Sequence, residues 1–441
     1  MKHSRFLILM LGIMAHFNGY AQGYDMEVDG IYYTYDVDAE TATVTSAPYD
    51  TPYEGSITIP ATVTKGRFTF NVIAIARMAF SSTNVEKVTI LSDGEKGVRT
   101  IGQTAFSYAR KLKQVTLPAT LESMGKRAFN ECSALQAVVL PSSLKSIPEA
   151  AFSGCTALET VTFPETMEAG AIGEKAFYNC GITKLTLPRG IEIGGKAAFM
   201  YCRQLKEVVF PDDFWGINMS MFSKCTSLEE ITFPHSLRII SSDAFSYCHL
   251  KKFTIPNSVE GMSWDALYGC TQLEEIIIED GSAPLKFYYS LDGEDVPALK
   301  KFYLGRDIDN DETADIRVPI TSLTIGSNVT AMPYSFGDNL KEIISKIKDP
   351  TNVTERFTKS AKANAILKVP EGSKELYEQA DGWKGFFNIE TYKDEGTSIR
   401  STDVQQSDDV WYNLNGQRIA TPTRNGLYIK NGKKVMISLP N

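Results

Sequence analysis

Apolar side chains return along this chain with a beat of about two dozen residues. The pairs Ala105-Phe106, Ala128-Phe129, Ala151-Phe152, Ala176-Phe177, Ala198-Phe199, Met221-Phe222, Ala244-Phe245 and Ala266-Leu267 mark it, their second members 23, 23, 25, 22, 23, 23 and 22 apart. Ala79-Phe80 precedes the series by 26. Between pairs one pattern recurs, A-F-x-x-C-x-x-L-x-x-V-x-[LF]-P-x-x-[LM]-x-x-[IM]. A fixed period in the low twenties marks a solenoid, each unit one supersecondary turn stacked on the next. The expected fold class is α/β but β-rich, with one long parallel sheet along a superhelix.

Within each unit the alternation assigns inside and outside. In Leu158, Val161 and Phe163 the last two lie two apart and point inward, so Thr160 and Thr162 point out. Proline follows at Pro118, Pro141, Pro164, Pro188, Pro211, Pro234 and Pro256, ending the strand because it has no N–H for the ladder. A second apolar pair such as Leu144 and Ile147 comes next, then the Ala-Phe return, where the spacing suggests a short 3₁₀ or helical turn. Each unit offers about six inward apolar groups at about 1.5–3 kcal/mol apiece, against about 1–2 kcal/mol of backbone entropy per residue. A single unit therefore loses, and folding requires neighbours that seal its faces.

The rest of the chain divides around these repeats. Residues 1–22 read as a secretory signal: basic Lys2 and Arg5, the apolar stretch Phe6 to Ala15, and small Gly19 and Ala21 before a cut. Residues 23–75 read as an N-terminal β cap, with Ile31 to Asp36 and Thr41 to Thr45 as a hairpin that Ser56 to Pro60 and Arg67 to Val72 continue. The solenoid occupies 76–392 and is irregular over 279–340. Tyr377, Trp383, Phe386, Phe387 and Ile389 supply an apolar plug at its end. Residues 393–409 are a polar linker. Residues 410–441, with hairpin signals Asn415-Gly416 and Asn431-Gly432, form a small β module.

Charge and chemistry narrow the function. The net charge of −8 disfavours nucleic acid and anionic membranes as main partners. No run reaches the roughly 18 apolar residues of a membrane span. All seven cysteines, Cys132, Cys155, Cys180, Cys202, Cys225, Cys248 and Cys270, stand three residues after the second member of a pair. An odd number at repeat spacing suits an internal ladder of buried thiols better than disulfides or metal ligation. His235 and His249 fall at unlike repeat positions with no nucleophile motif beside them, and no glycine-rich phosphate loop occurs. No cofactor is implied, and the chain does not read as an enzyme. Asp307, Asp309 and Asp311, in the acidic loop 307–315, have the alternating spacing of a calcium loop. Glu312 and Val318, however, stand where such a loop needs glycine and a bidentate glutamate, which favours a solvated loop.

With its A-F-x-x-C start and V-x-[LF]-P strand end, the pattern resembles the BspA-like, treponemal-type leucine-rich repeats of bacterial surface proteins over roughly residues 60–390. Val28 to Tyr33 and the run Val369 to Ser373 with Tyr377 and Trp383 are similar to the ends of such proteins. Trp411 to Arg418 and Gly426 to Gly432 resemble short C-terminal β modules, some of them sorting signals, on exported proteins of Bacteroidetes. The resemblance implies a right-handed leucine-rich-repeat superhelix. It also implies export to the cell surface or medium, with the periplasm as another destination. The role it implies is adhesion to host matrix or plasma proteins or to other cells. It fixes no ligand-contacting residue.

The alternation does supply a candidate surface. An outward middle column runs Thr116, Val139, Thr162, Thr186, Val209, Thr232, Thr254 and Ile277. Beside it run Gln114, Ala137, Thr160, Lys184, Glu207, Glu230, Lys252 and Glu275. At roughly 4.8 Å per strand, about a dozen turns make a ribbon on the order of 55 Å long. Strand preference alone explains β-branched residues there; the functional reading is a docking strip centred on Thr116, Thr162, Thr186, Glu207, Glu230, Thr232, Lys252 and Thr254. A protein ligand is the expected partner. A glycan, as in surface polysaccharide uptake, is the alternative, but neither column holds an aromatic ring.

Overall fold

The computed structural model describes residues 23–165, 167, 171–310, 316–332 and 336–393, and beyond them the backbone of four short strands. The expected signal at 1–22, Asp311, and the linker after residue 393 lie outside the described residues. Two compact units, 1–392 and 393–441, are described separately.

The larger unit is a β-rich solenoid of about 13 turns. Its first parallel ladder begins with Glu54–Ile59, Asn84–Ile90, Gln114–Thr116, Ala137–Val139 and Thr160–Thr162. Lys184–Thr186 pairs with Glu207–Val209. A third stretch runs from Lys252–Ile255 to Asn388–Tyr392. The first break follows Thr162, inside the 25-residue interval between Phe152 and Phe177, which is two or three residues longer than the intervals on either side. Glu54–Ile59 departs from the expectation that it extends the N-terminal hairpin. It pairs in parallel with Asn84–Ile90, and its Ile59 is buried in the solenoid core. The parallel ladder therefore starts before the first Ala-Phe pair.

A second parallel ladder runs along another side of the coil. It is built from the apolar pair after each proline: Gly216–Ile217, Ile239–Ile240, Gly261–Ser263, Leu285–Tyr288 and Ile308–Asn310. Ile217, Ile240, Met262 and Phe287 fill its inner side. At the N-terminal end the same side continues through Ser123–Met124, Thr100–Ile101 and Phe68–Ile75 into the antiparallel strands Thr41–Val44, Ile31–Asp36 and Met26–Val28. The cap thus forms one sheet with the first strands on this side, while the ladder from Gly216 onward is a sheet of its own. Proline starts the turn between ladders: Leu121, Leu144, Phe214, Leu237 and Val259 each donate an N–H to the carbonyl of the proline three residues back.

The Ala-Phe return is not helical in the regular repeats; Trp264–Leu267 alone forms a 3₁₀ turn there. The residues two before and two after each phenylalanine take positive φ, as at Thr104 and Tyr108, Arg127 and Glu131, and Ala197 and Tyr201. These two left-handed residues turn the backbone so that N–H groups point along the stack. Phe106 N–H reaches Ala128 O at 2.7 Å, Phe129 reaches Ala151 O and Phe152 reaches Ala176 O, both at 2.8 Å. A helix would keep those bonds within the turn; here they join neighbours.

The core carries a file of rings. Phe80, Phe106, Phe129, Phe152, Phe177, Phe199, Phe222 and Phe245 stack in succession, with Phe106 and Phe129 centroids 4.8 Å apart and 3° from parallel, and Phe152 and Phe177 5.3 Å and 2°. The ring spacing is close to the distance between parallel strands, so repeat register and aromatic contact reinforce each other. Past Phe245 the file ends, and Trp264 in the next turn stacks on Phe287 at 3.8 Å.

At the far end, helices Lys359–Asn364 and Lys374–Gln379 flank the last strands. Tyr377 and Trp383 are fully buried and packed edge to face at 5.1 Å. The Tyr377 hydroxyl donates to Ile347 O, and Trp383 Nε1–H to Val353 O. Phe386 joins them, but Phe387 is 79% exposed. Phe387 stands in the bend between the 3₁₀ turn Trp383–Gly385 and the strand Asn388–Tyr392 and faces solvent, so it does not belong to the expected plug.

The smaller unit holds four antiparallel strands. Gly426–Lys430 pairs with Lys433–Ile437 and with Trp411–Tyr412, which also pairs with Arg418–Ile419.

Candidate binding surface

The cysteine position is filled by a thiol in seven successive repeats, and each thiol has the same task. Cys132 Sγ donates to Phe106 O at 3.0 Å, Cys155 to Phe129 O and Cys180 to Phe152 O, both at 3.1 Å. Cys202, Cys225, Cys248 and Cys270 repeat the contact on Phe177, Phe199, Phe222 and Phe245. The seven are free and buried. Burial pushes the Cys202 and Cys270 thiols up to about 12 and holds the other five well above the ordinary range. They are inert, protonated pins on the inside, not surface chemistry.

Outside, the first ladder shows its two columns to solvent. Thr116, Val139, Thr162, Thr186 and Val209 are exposed on strands; Glu230 and Thr232 are exposed too, but the strand expected there is not formed, and Thr254 and Ile277 are half-buried. The adjoining column is tied from repeat to repeat by charge. Lys184 Nζ lies 2.8 Å from Glu207, Lys252 3.2 Å from Glu275, and Lys368 2.6 Å from Glu342. One residue earlier, Lys113 meets Glu86 and Lys251 meets Glu229, and the lysine hydrogen bond holds the Glu229 carboxyl below its usual range. Such exposed pairs contribute little to stability. Beside them, the side chains of Thr116, Thr162, Thr186 and Thr232 have no hydrogen-bond partner among the described residues.

In the acidic stretch after residue 306, Asp307 is used structurally. Both carboxylate oxygens of Asp307 are taken up by the next turn: Oδ1 accepts from Thr330 N and Ala331 N at 2.7 and 3.1 Å, and Oδ2 from Thr330 Oγ1. Asp309 lies on the outward side of Ile308–Asn310, opposite Lys286. Among the described residues no three His, Cys, Asp or Glu side chains converge as a metal site.

Two features escaped the sequence pattern. The second ladder has an open trough of about 1130 Å³ over Gly261, Ser241 and Ile239, bounded by Tyr288 and Tyr289. Beneath it lies Arg306, 2% exposed, whose guanidinium donates to the carbonyls of Pro256, Asn257, Val259 and Ala283 at 2.9–3.3 Å. It is a cationic pin for a proline turn some 50 residues upstream. The other feature is a row of tyrosines on the return turns, at the repeat positions one and two after the phenylalanine or the leucine in its place, half-buried at Tyr178 and Tyr201 and exposed at Tyr247 and Tyr268. Aligning that column in the sequence would have revealed it.

No helix among the described residues is long and apolar enough to cross a membrane. No curated protein matches the chain in sequence. Three solved structures are similar to it. A leucine-rich repeat protein from Bacteroides ovatus ATCC 8483 is 21% identical, covers 84% of this chain and 100% of its own, and gives a TM-score of 0.47. The pneumococcal vaccine antigen PcpA is 22% identical over 83% of this chain and 98% of its own, TM-score 0.47. A leucine-rich cell surface protein from Faecalibacterium prausnitzii A2-165 is 21% identical over 86% and 97%, TM-score 0.39. The model of the BspA type leucine-rich repeat region matches residues 73–206 and 192–288, in 6 copies. With its thiol-pinned returns and parallel ladders, this solenoid belongs to the BspA type leucine-rich-repeat family.

Proposed function

We propose that the chain is a non-catalytic, exported surface protein that binds other proteins through the outward face of its first ladder. The supporting observation is the strip of exposed, unpartnered Thr116, Thr162, Thr186 and Thr232, held rigid by the core behind it. A rigid strip needs little ordering on binding, which favours an extended partner. Membership of the BspA type repeat family supports adhesion at a cell surface. The N-terminal apolar stretch and the C-terminal strands serve, in this reading, for export and surface delivery. Host matrix or plasma proteins and other cells are the expected targets.

The test is a screen of the full chain against immobilised matrix and plasma proteins and a glycan array, repeated with Thr162→Arg/Thr186→Arg. Binding to proteins that the double variant loses supports the proposal. Binding to glycans alone, or protein binding the variant retains, overturns it.

A further inference from the structure

The return turns carry a second surface. Tyr178, Tyr201, Lys224, Tyr247 and Tyr268 come from five successive repeats and lie side by side on the turn edge. Tyr178 and Tyr201 meet at 5.2 Å and 63°, Tyr247 and Tyr268 at 5.3 Å and 80°. Between the two pairs stands Lys224. Its Nζ donates to the Tyr201 hydroxyl at 2.8 Å and lies 4.8 Å above the Tyr201 ring and 5.1 Å from that of Tyr247. Arg203 covers Tyr201 at 5.3 Å.

The backbone makes this row informative. Tyr201, Lys224 and Tyr247 have φ of 65°, 63° and 59°, the left-handed region, which costs a residue with a Cβ about 1–2 kcal/mol. The equivalent positions in two other repeats are Gly154 and Gly269, so the fold accepts glycine there. Folding alone does not call for long side chains at these points, and Tyr247 and Tyr268 are 43% and 44% exposed. The fold imposes the left-handed turn but not the side chain; Tyr201 and Lys224 are half-buried and Tyr247 is exposed, and long side chains kept where glycine suffices point to a binding role.

We infer that this tyrosine–lysine row is a docking site for an acidic, extended segment of a protein. The inference rests on the reading of the chain as a protein binder but places a distinct contact surface on it. Charge selects the occupant. In a chain of net charge −8, neither Arg203 nor Lys224 has a carboxylate within ion-pair distance among the described residues. The ammonium of Lys224 has three donors and uses one on Tyr201, so it is held in place with donors to spare. A sugar would need an open ring face. Cations already sit against Tyr201 and against one face of Tyr247, and the paired rings stand edge to face instead of forming a platform. Tyrosine and arginine are also the side chains that dominate protein contacts. Five repeats span about 20 Å, the reach of about six extended residues.

The experiment measures fluorescence polarisation of a fluorescein-labelled glutamate-rich peptide and its glutamine counterpart with the full chain. The variants are Tyr201→Gly, Lys224→Gly and Tyr247→Gly. The expected result is saturable binding of the glutamate peptide alone, weakened by salt and by at least about tenfold in each variant. The melting temperature should be no lower than that of the parent, because glycine relieves the left-handed backbone. Equal binding of both peptides, no binding, or binding indifferent to the three variants overturns the inference, as does a glycan that the variants lose. Thr162→Arg/Thr186→Arg should leave peptide binding intact, so failure here and failure of the threonine strip are told apart.

Discussion

Raising the pH should unfold this protein through its thiols. A thiol whose folded pKa is raised by burial stays protonated in the native chain, while the unfolded chain ionises near pH 8.5–9. Between those values the unfolded state holds fewer protons, so stability is full below the unfolded pKa and falls as pH rises toward the folded one. At pH 9.5 each thiol favours unfolding by about 1 kcal/mol, whatever the exact folded value, because Cys202 and Cys270 reach about 12 and the rest are raised well above the thiol range. Seven such groups amount to roughly 6–10 kcal/mol, comparable with the whole stability of an ordinary domain. The assay is urea unfolding at pH 7 and 9.5 under a phosphine reductant, with a thiol reagent counting reactive groups. Native protein should show no reactive thiol at pH 7 and seven in urea. Cys155→Ala/Cys225→Ala should cut the pH-dependent loss by about 2–3 kcal/mol. Equal stability at both pH values, or thiols that react freely in the native chain, would refute the reasoning.

Other consequences can be measured directly. Phe152→Ala should cost about 3–5 kcal/mol in denaturant melts, since the ring is fully buried between Phe129 and Phe177; a loss under about 1 kcal/mol would mean the file of rings is not core. Arg306→Lys should destabilise nearly as much as Arg306→Met, because one ammonium cannot reach the carbonyls of Pro256, Asn257, Val259 and Ala283 together; a fully stable lysine variant in thermal melts would contradict the pin. Thr162→Arg/Thr186→Arg should shift stability by less than about 0.5 kcal/mol, as expected for exposed positions, so any binding it loses in the matrix-protein screen reflects contact and not unfolding.

The repeat period made the solenoid legible, and the alternation around Val161 placed Thr160 and Thr162 outside, where they stand. The cysteines could be assigned to the interior because they share one repeat position. What could not be read follows from interactions that leave no local mark. The second ladder uses strands as short as Gly216–Ile217 and Ile239–Ile240, too brief for alternation to register. The return turn looked helical, yet its left-handed residues include Ala197, Arg127 and Tyr201, types with no preference for that region. Hydrogen bonds to the next repeat impose it. Glu54–Ile59 was ambiguous because a β-rich segment does not announce whether its partner precedes or follows it. Arg306 is tied to carbonyls far upstream, and no window of sequence contains both ends.

The file of phenylalanines has a bearing on how such a chain can change length. Each ring touches the one above and the one below at nearly equal spacing and tilt. Cutting out the coil between Phe129 and Phe152, or copying it, would present the new neighbours with the same ring, the same carbonyl and the same thiol. Duplication and loss of whole coils are therefore the mildest large edits open to this gene, and reach toward a partner can be tuned by coil number while the end pieces stay as they are.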